Sequence, residues 1–233
     1  MRTPVVCRAM PSLDRDGDVY LLSLGDDENR FNPEWVGAVE ALLDEVAAAP
    51  EPRALVTTAE GKIWSNGLDL EWMGANTGEV PAFVPRVHGL LGKLLALPVP
   101  TVAAIQGHCF AAGAMLAVAH DFRVMRADRG FFCLPEVDIH IPFTPPMAAL
   151  IQARLSKKAA HEAMTTGRRY GGSDAAAAAI VDEAVGEGEV LSRAVELAGA
   201  LAGKHGPTLG AIKQGMYAEA LALLSDPTPI AFG

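Results

Sequence analysis

The chain predicts an α/β fold with largely parallel strands, and two observations predict it. Up to His140, short apolar runs alternate with helical patterns in the order strand, helix, strand, loop, helix, strand, turn, helix, strand. Such alternation is how parallel neighbours are connected, because each crossover needs a helix to return the chain. The last third then reads as helix almost throughout, with one short run at Val181 to Val185. No repeat at solenoid spacing and no long linker interrupts the pattern.

The elements follow in order. After a polar lead-in, Val19 to Leu24 (VYLLSL) reads as a strand ended by Gly25-Asp26-Asp27. Asn32 fits an N-cap and Pro33 the first helical position. Trp35, Val36, Val39, Leu42, Leu43 and Val46 then recur at helical spacing, with Glu34, Glu40, Asp44 and Glu45 on the wet face, and Pro50 and Pro52 stop the helix. Ala54 to Thr58 is the next strand, and GKIWSNGLDLEWM is a loop turning into a short helix. A second long helix is expected from Ala82 to Leu97, entered at Pro81, interrupted at Pro85 and ended by Pro98 and Pro100. Thr101 to Ile105 is a strand, Ala111-Ala112-Gly113 a turn, and an apolar helix closes at His120-Asp121 before a short run from Phe122 to Met125. Pro145 and Pro146 mark a helix start. A helix from Ser156 to Thr166, a turn at Tyr170-Gly171-Gly172, an Ala-rich helix from Ser173, and helices from about Leu191 and Thr208 complete the chain.

Composition excludes several classes. With 50% hydrophobic and 20% charged residues the chain is globular rather than disordered. A net charge of -9 argues against nucleic acid, whose phosphates need clustered Lys and Arg. No membrane span is expected, since Val99 to Ala119 is broken by Pro100, Gln106, Gly107, His108 and Gly113. The opening stretch has no apolar core with a cleavage site, and PIAFG is neither an ER-retention nor a peroxisomal signal. Cys7, Cys109 and Cys133 show no metal-ligand spacing, so reduced thiols of a cytoplasmic protein are expected, with Cys109 and Cys133 as small apolar filler.

Chemistry concentrates between Val102 and His140. A turn of small residues lets a ligand approach the backbone, and the helix after it offers free N–H groups. Glu136 is a lone carboxylate in apolar sequence (Phe131, Phe132, Leu134, Val137, Ile139), where desolvation disfavours its charge and suits it to moving protons. A second small-residue turn, SNGLDL (Ser65 to Leu70), stands forty-odd residues before the first, AAGAM (Ala111 to Met115). Neither is a GxGxxG or Walker loop, so no nucleotide cradle is expected. An anion hole and a base are the expectation.

These pieces together resemble the crotonase superfamily, the enoyl-CoA hydratase and isomerase group. The resemblance covers nearly the whole chain: NRFN, WSNGLDL, PVPTVAAIQGHCFAAGAMLAVAHDFRVM, LPEVDI and TGRRYGGSDAAAAAIVDEAV. It implies a spiral of ββα turns with trailing C-terminal helices, divided into a core with the active site (1–172) and a C-terminal helical region for oligomerisation and site cover (173–233). It implies acyl-CoA thioesters as substrates, a homotrimer or hexamer, fatty acid metabolism, and no metal or cofactor beyond the coenzyme A of the substrate. Carried over by residue, the backbone N–H groups of Leu68 and Ala112 form the oxyanion hole, with Ser65, Asn66, Gly67, Gly113 and Met115 around the substrate.

One departure selects the reaction. Hydratases of the group carry two glutamates; here one stands as Glu136, while the other position is Met115, and a thioether cannot activate water. A single carboxylate suffices to take a proton from C2 and return one at C4. The resemblance therefore runs to the Δ3,Δ2-enoyl-CoA isomerases, with hydration, thioester hydrolysis or a non-catalytic CoA-binding role as alternatives. Arg30 and Lys62 are candidates for the CoA phosphates, and Trp64, Trp72 and Phe83 for packing on adenine or acyl chain or in the core. Asp69 is expected to cap a helix, Asp138 to tune Glu136, and His108 and His140 to lie near the site as satisfied histidines. The chain ends soon after Leu224, where relatives commonly run on through a helix covering the CoA, which leaves Lys213 as the cation available there.

Overall fold

A computed structural model describes residues 10–229. One polar edge strand opens it: β1 (Ser12–Asp16) pairs antiparallel with β2 (Val19–Ser23). From β2 onward one unit repeats. A strand joins the large sheet, a very short strand joins a second layer, and a helix returns the chain. The first turn is β2, β3 (Arg30–Phe31) and α1 (Pro33–Ala48); the second is β4 (Ala54–Thr58), β5 (Ile63–Ser65), β6 (Gly67–Leu68), α2 (Leu70–Ala75) and α3 (Val80–Leu95). The third is β7 (Thr101–Ile105), β8 (His108–Phe110) and α4 (Ala112–Ala119); the fourth is β9 (Phe122–Arg126), β10 (Phe132–Cys133) and α5 (Pro145–Arg154). Next come α6 (Lys157–Thr166), α7 (Gly172–Ala177), β11 (Glu183–Val185), α8 (Val190–Leu201), α9 (Pro207–Met216) and α10 (Ala218–Leu224).

The large sheet runs β1-β2-β4-β7-β9-β11, parallel everywhere except at β1. The second layer holds a parallel sheet β10-β8-β5 and the pair β3-β6. Strand periodicity assigns the two cores. Tyr20, Leu22, Leu55, Ala103, Ile105 and Met125 face the helices of the spiral, while Val19, Ala54, Val56, Val102, Ala104 and Val124 face α8 through its Val190, Ala194 and Ala198.

The caps fall where the sequence puts them. The Asn32 side chain accepts from the Trp35 N–H at 2.9 Å, Asp69 from Trp72 at 3.0 Å, and Ser156 from Ala159 at 3.2 Å. Pro85 corrects one expectation: α3 runs through it unbroken. Only one N–H is lost there, and the face carrying Phe83, Val84, Val87, Leu90, Leu91 and Leu94 is buried, which outweighs a single hydrogen bond. β1 was hidden because SLDRD is polar, as an exposed sheet edge tends to be. Residues 173–229 do not stand apart from the spiral, since β11 is a strand of the same sheet and α8 covers its face. No helix among the described residues is long and apolar enough to cross a membrane, and Cys7 lies outside them.

The C-terminal end of α4 is anchored in a buried polar hub. Lys213 of α9 is 3% exposed and donates to Leu97 O and Val99 O, both at 2.9 Å, and to Asp121 Oδ2 at 2.7 Å, so it is not a surface cation for CoA. Arg154 donates to Val118 O, His120 O and Asp121 O, and Arg123 to His120 O and Ile180 O, placing cations on the carbonyl end of the helix. His120 is wholly buried, which pulls its pKa down to about 3 and keeps it neutral. Leu116 O can only accept, so Nδ1 carries the proton (2.9 Å) and Nε2 accepts from the Thr57 hydroxyl (2.7 Å).

Candidate active site

At its other end α4 opens onto a cavity of about 310 Å³. Ala111, just before the helix, has φ 51 and ψ −127, a conformation side chains rarely adopt. Its N–H is held by Cys133 O at 3.0 Å, and Met115 N–H returns to Ala111 O at 3.1 Å. The Ala112 N–H that follows has no intrahelical acceptor. Opposite it, Gly67 sits at φ 77, so close that a methyl there would stand 2.6 Å from the Ala112 nitrogen; one on Gly113 would stand 2.6 Å from Ser65 O. The two small-residue turns interlock only because both positions are glycine.

Strand alternation aims the second donor. Asp69 N–H bonds Phe31 O at 3.0 Å, so the preceding Leu68 N–H points the other way, towards α4. Leu68 and Ala112 both line the cavity. Ser65 does not: it is fully buried, its hydroxyl donates to Asn29 O (2.8 Å) and accepts from Gly67 N–H (3.1 Å), and it shapes the turn from behind.

Glu136 enters from the turn after β10, where Asp138 N–H and Ile139 N–H bond Pro135 O at 2.9 and 3.1 Å. Its side chain is 7% exposed, and Oε2 is buried without a hydrogen-bond partner among the described residues. Burial pushes its pKa up to about 7, opposed only by a backbone hydrogen bond, with no cation to offset it. Asp138 does not tune it; that carboxylate lies against Gly167 at the end of α6.

Three buried polar atoms without partners share this one cavity: Glu136 Oε2, Asn66 Oδ1 and His108 Nδ1. The structure thus brings Asn66, Leu68, Ala112, Met115 and Glu136 onto common walls, with Gly67 and Gly113 behind them. Arg30 is elsewhere, in a separate hollow with Asp27, Glu28, Asp69 and Glu71, ion-paired to Glu28 and Glu71. Lys62 is exposed and does not line the cavity, though its carbonyl accepts from His108 N–H at 2.9 Å. Trp64 is core, and Trp72 and Phe83 pack edge-on at 4.9 Å. Cys109 and Cys133 are buried free thiols, the latter donating to Gly167 O at 3.2 Å.

Sequence reasoning missed Phe110, Leu70, Ile141 and Pro142 as lining residues and took His108 for a satisfied histidine. His108 and Phe110 flank the buried Cys109 in β8, a period-2 signal too short to read in three residues.

Comparison with known proteins identifies the family. The chain is 36% identical over 234 residues to the peroxisomal enoyl-CoA delta isomerase 2 of Arabidopsis thaliana, covering 95% of this chain and 98% of that one. It is 37% identical over 221 residues to enoyl-CoA delta isomerase 3 of the same plant, covering 90% and 93%. Among solved structures, an apo enoyl-CoA isomerase from Mycobacterium tuberculosis superposes with a TM-score of 0.84 at 28% identity, over 92% of this chain and 93% of that one. Human mitochondrial delta3-delta2-enoyl-CoA isomerase shares the fold at a TM-score of 0.83 and 23% identity, over 92% and 85%. Residues 17–226 match the enoyl-CoA hydratase/isomerase family model, and this chain, a crotonase-fold protein by its spiral of ββα turns, is a member of that family.

Proposed function

We propose that the protein is an enoyl-CoA isomerase that shifts the double bond of a 3-enoyl-CoA to give the 2-enoyl-CoA. The observation that carries this is a single buried carboxylate facing two backbone donors: Glu136 is the one acidic side chain on the cavity wall, and Met115 stands where a second would be needed to handle water. Glu136 takes a proton from C2, the C2–H electron pair flows into a dienolate whose oxygen is held by the N–H groups of Leu68 and Ala112, and the proton returns at C4. Each donor is worth about 3 kcal/mol on that oxyanion. A carboxyl titrating near 7 can give back what it takes, and no electrons are gained or lost, so the reaction needs no cofactor beyond the coenzyme A of its substrate.

The test is incubation with a 3-enoyl-CoA in deuterated water. Formation of 2-enoyl-CoA, and its loss by 10²-fold or more in Glu136→Gln, is the expected result. Appearance of a hydrated or hydrolysed product instead, or of binding without turnover, overturns it. We further propose a homotrimer or hexamer, supported by the exposed Ile212, Met216 and Leu223 of α9 and α10 and read by light scattering. A cytoplasmic location is supported by the two buried free thiols and tested by cell fractionation against the peroxisomal location in the Arabidopsis name.

A further inference from the structure

The cavity has a buried apolar wall and an open one. Met115 of α4 and Met147 of α5 form the first; they are 1% and 5% exposed and belong to the closed core, so the cavity does not deepen past them. Leu70 of α2, Ile139, Ile141 and Pro142 form the second. Leu70 is 49% exposed, Ile139 43% and Ile141 39%. Ten large apolar side chains are exposed among the described residues, and three of them stand on the lip of this one cavity. Scattered singly, such residues need no explanation; gathered at the mouth of a reactive pocket, they mark a surface that something covers.

The lip is tied to the groups that do the chemistry. Ile139 N–H bonds Pro135 O and Ile141 N–H bonds Glu136 O, both at 3.1 Å, so one turn carries the carboxylate and the two isoleucines. Leu70 opens α2 directly after the strand that ends in the Leu68 donor and its following cap, Asp69. The Asp138 carboxylate lies against Gly167, which keeps its charge off the lip. At about 310 Å³ the cavity is at the small end of small-molecule sites, roughly 300–1,000 Å³, and the thioester and the reacting carbons fill it first. A long acyl chain does not fit inside as well. Stopped by Met115 and Met147, it turns outward, and the apolar surface it then meets is Leu70, Ile139 and Ile141.

Resting on the isomerase reading, we propose that the preferred substrates are long-chain 3-enoyl-CoA thioesters, and that Leu70, Ile139 and Ile141 select them by holding the acyl carbons distal to the double bond outside the closed part of the cavity. Selection of this kind is graded. A closed tunnel rejects a chain longer than itself, whereas an open lip adds binding with every methylene until it is covered. A methylene fully buried is worth roughly fourfold in binding, and one laid on an open wall about twofold. The distal carbons do not react, so they are held equally in ground state and transition state. Their contribution therefore lowers KM and leaves kcat where it was.

The test is a kinetic series on the full chain with 3-hexenoyl-, 3-octenoyl-, 3-decenoyl- and 3-dodecenoyl-CoA below their micellar concentrations. It compares the parent with Leu70→Ser, Ile139→Ser and Ile141→Ser and, as an exposed apolar control on α8, Leu191→Ser. For the parent, kcat/KM is expected to rise roughly fourfold for each two carbons added, through KM at nearly constant kcat. Each lip variant should lower the dodecenoyl-to-hexenoyl ratio of kcat/KM by about fivefold or more, and Leu191→Ser should keep the parent ratio. The proposal is overturned if the parent prefers the hexenoyl thioester, if the lip variants keep the parent ratio, or if Leu191→Ser lowers it as much. It is also overturned if light scattering shows that Ile139→Ser reduces the assembled mass, because the lip is then a contact between copies. Calorimetric binding of hexanoyl- and dodecanoyl-CoA to the same proteins separates this proposal from the reaction on which it rests. A chain that isomerises nothing, yet binds the longer thioester more tightly and loses that preference in the lip variants, breaks the isomerase reading and leaves the chain-length selection standing.

Discussion

The two ends of α4 treat polar groups in opposite ways. At the carbonyl end, Lys213, Arg154, Arg123 and His120 have their hydrogen bonds filled by backbone carbonyls, Asp121, Thr57 and Tyr217. At the amide end, Glu136, Asn66 and His108 each keep a buried atom without a partner. A filled network fixes a helix in place; an unfilled one holds free energy in reserve for a molecule that will fill it. The helix is clamped at one end so that the other can stay open.

The largest effect that would break this contrast is on turnover. Glu136→Gln should lower kcat by roughly 10²- to 10⁴-fold while leaving the circular dichroism spectrum unchanged. Next comes the clamp. Lys213→Ala leaves the half-buried carboxylate of Asp121 beside Thr101 without its cation, and should cost about 2–4 kcal/mol in urea unfolding, with kcat of the folded enzyme within about twofold. If Lys213→Ala instead abolishes kcat at full stability, the two ends are not separable in this way.

pH sharpens the same comparison. Glu136 has its folded pKa raised to about 7 from 4.5, so between these values the folded chain keeps a proton the unfolded chain has lost. Stability contributed by the protonated form is therefore complete below about 4.5, falls as pH rises to about 7, and levels off above, a loss of about 3 kcal/mol. Activity moves the other way, rising through about pH 7 as the carboxylate forms. Thermal melts of the parent and Glu136→Gln at pH 5 and 8 should show the variant gaining on the parent at the higher pH. The smallest expected effect is at Ala111→Gly, which relieves the positive φ and should stabilise by about 1 kcal/mol with little change in rate.

What could be read in the sequence follows from the length of each signal. Ala54 to Thr58 (ALVTT) and Thr101 to Ile105 (TVAAI) are five-residue runs of apolar residues and threonine, and both strands have those bounds. The Asn32-Pro33 start was legible because cap and proline each restrict the backbone in their own way. Glu136 stood out as one carboxylate among apolar neighbours. The short strands β3, β5, β6, β8 and β10 have two or three residues, too few for alternation to register, and their pairing is set by partners far along the chain. Whether a cation is free depends on carboxylates and carbonyls that only folding brings near, Glu71 for Arg30 and Leu97 O, Val99 O and Asp121 for Lys213.

The clamp on α4 also sets an order in time. Every wall of the cavity lies between Ile63 and Met147, whereas Lys213 reaches back 116 residues to Leu97 and 92 to Asp121. On a ribosome the pocket is therefore complete in sequence well before its fastening emerges. A nascent chain carries every residue that lines the cavity while Asp121 still waits for its cation.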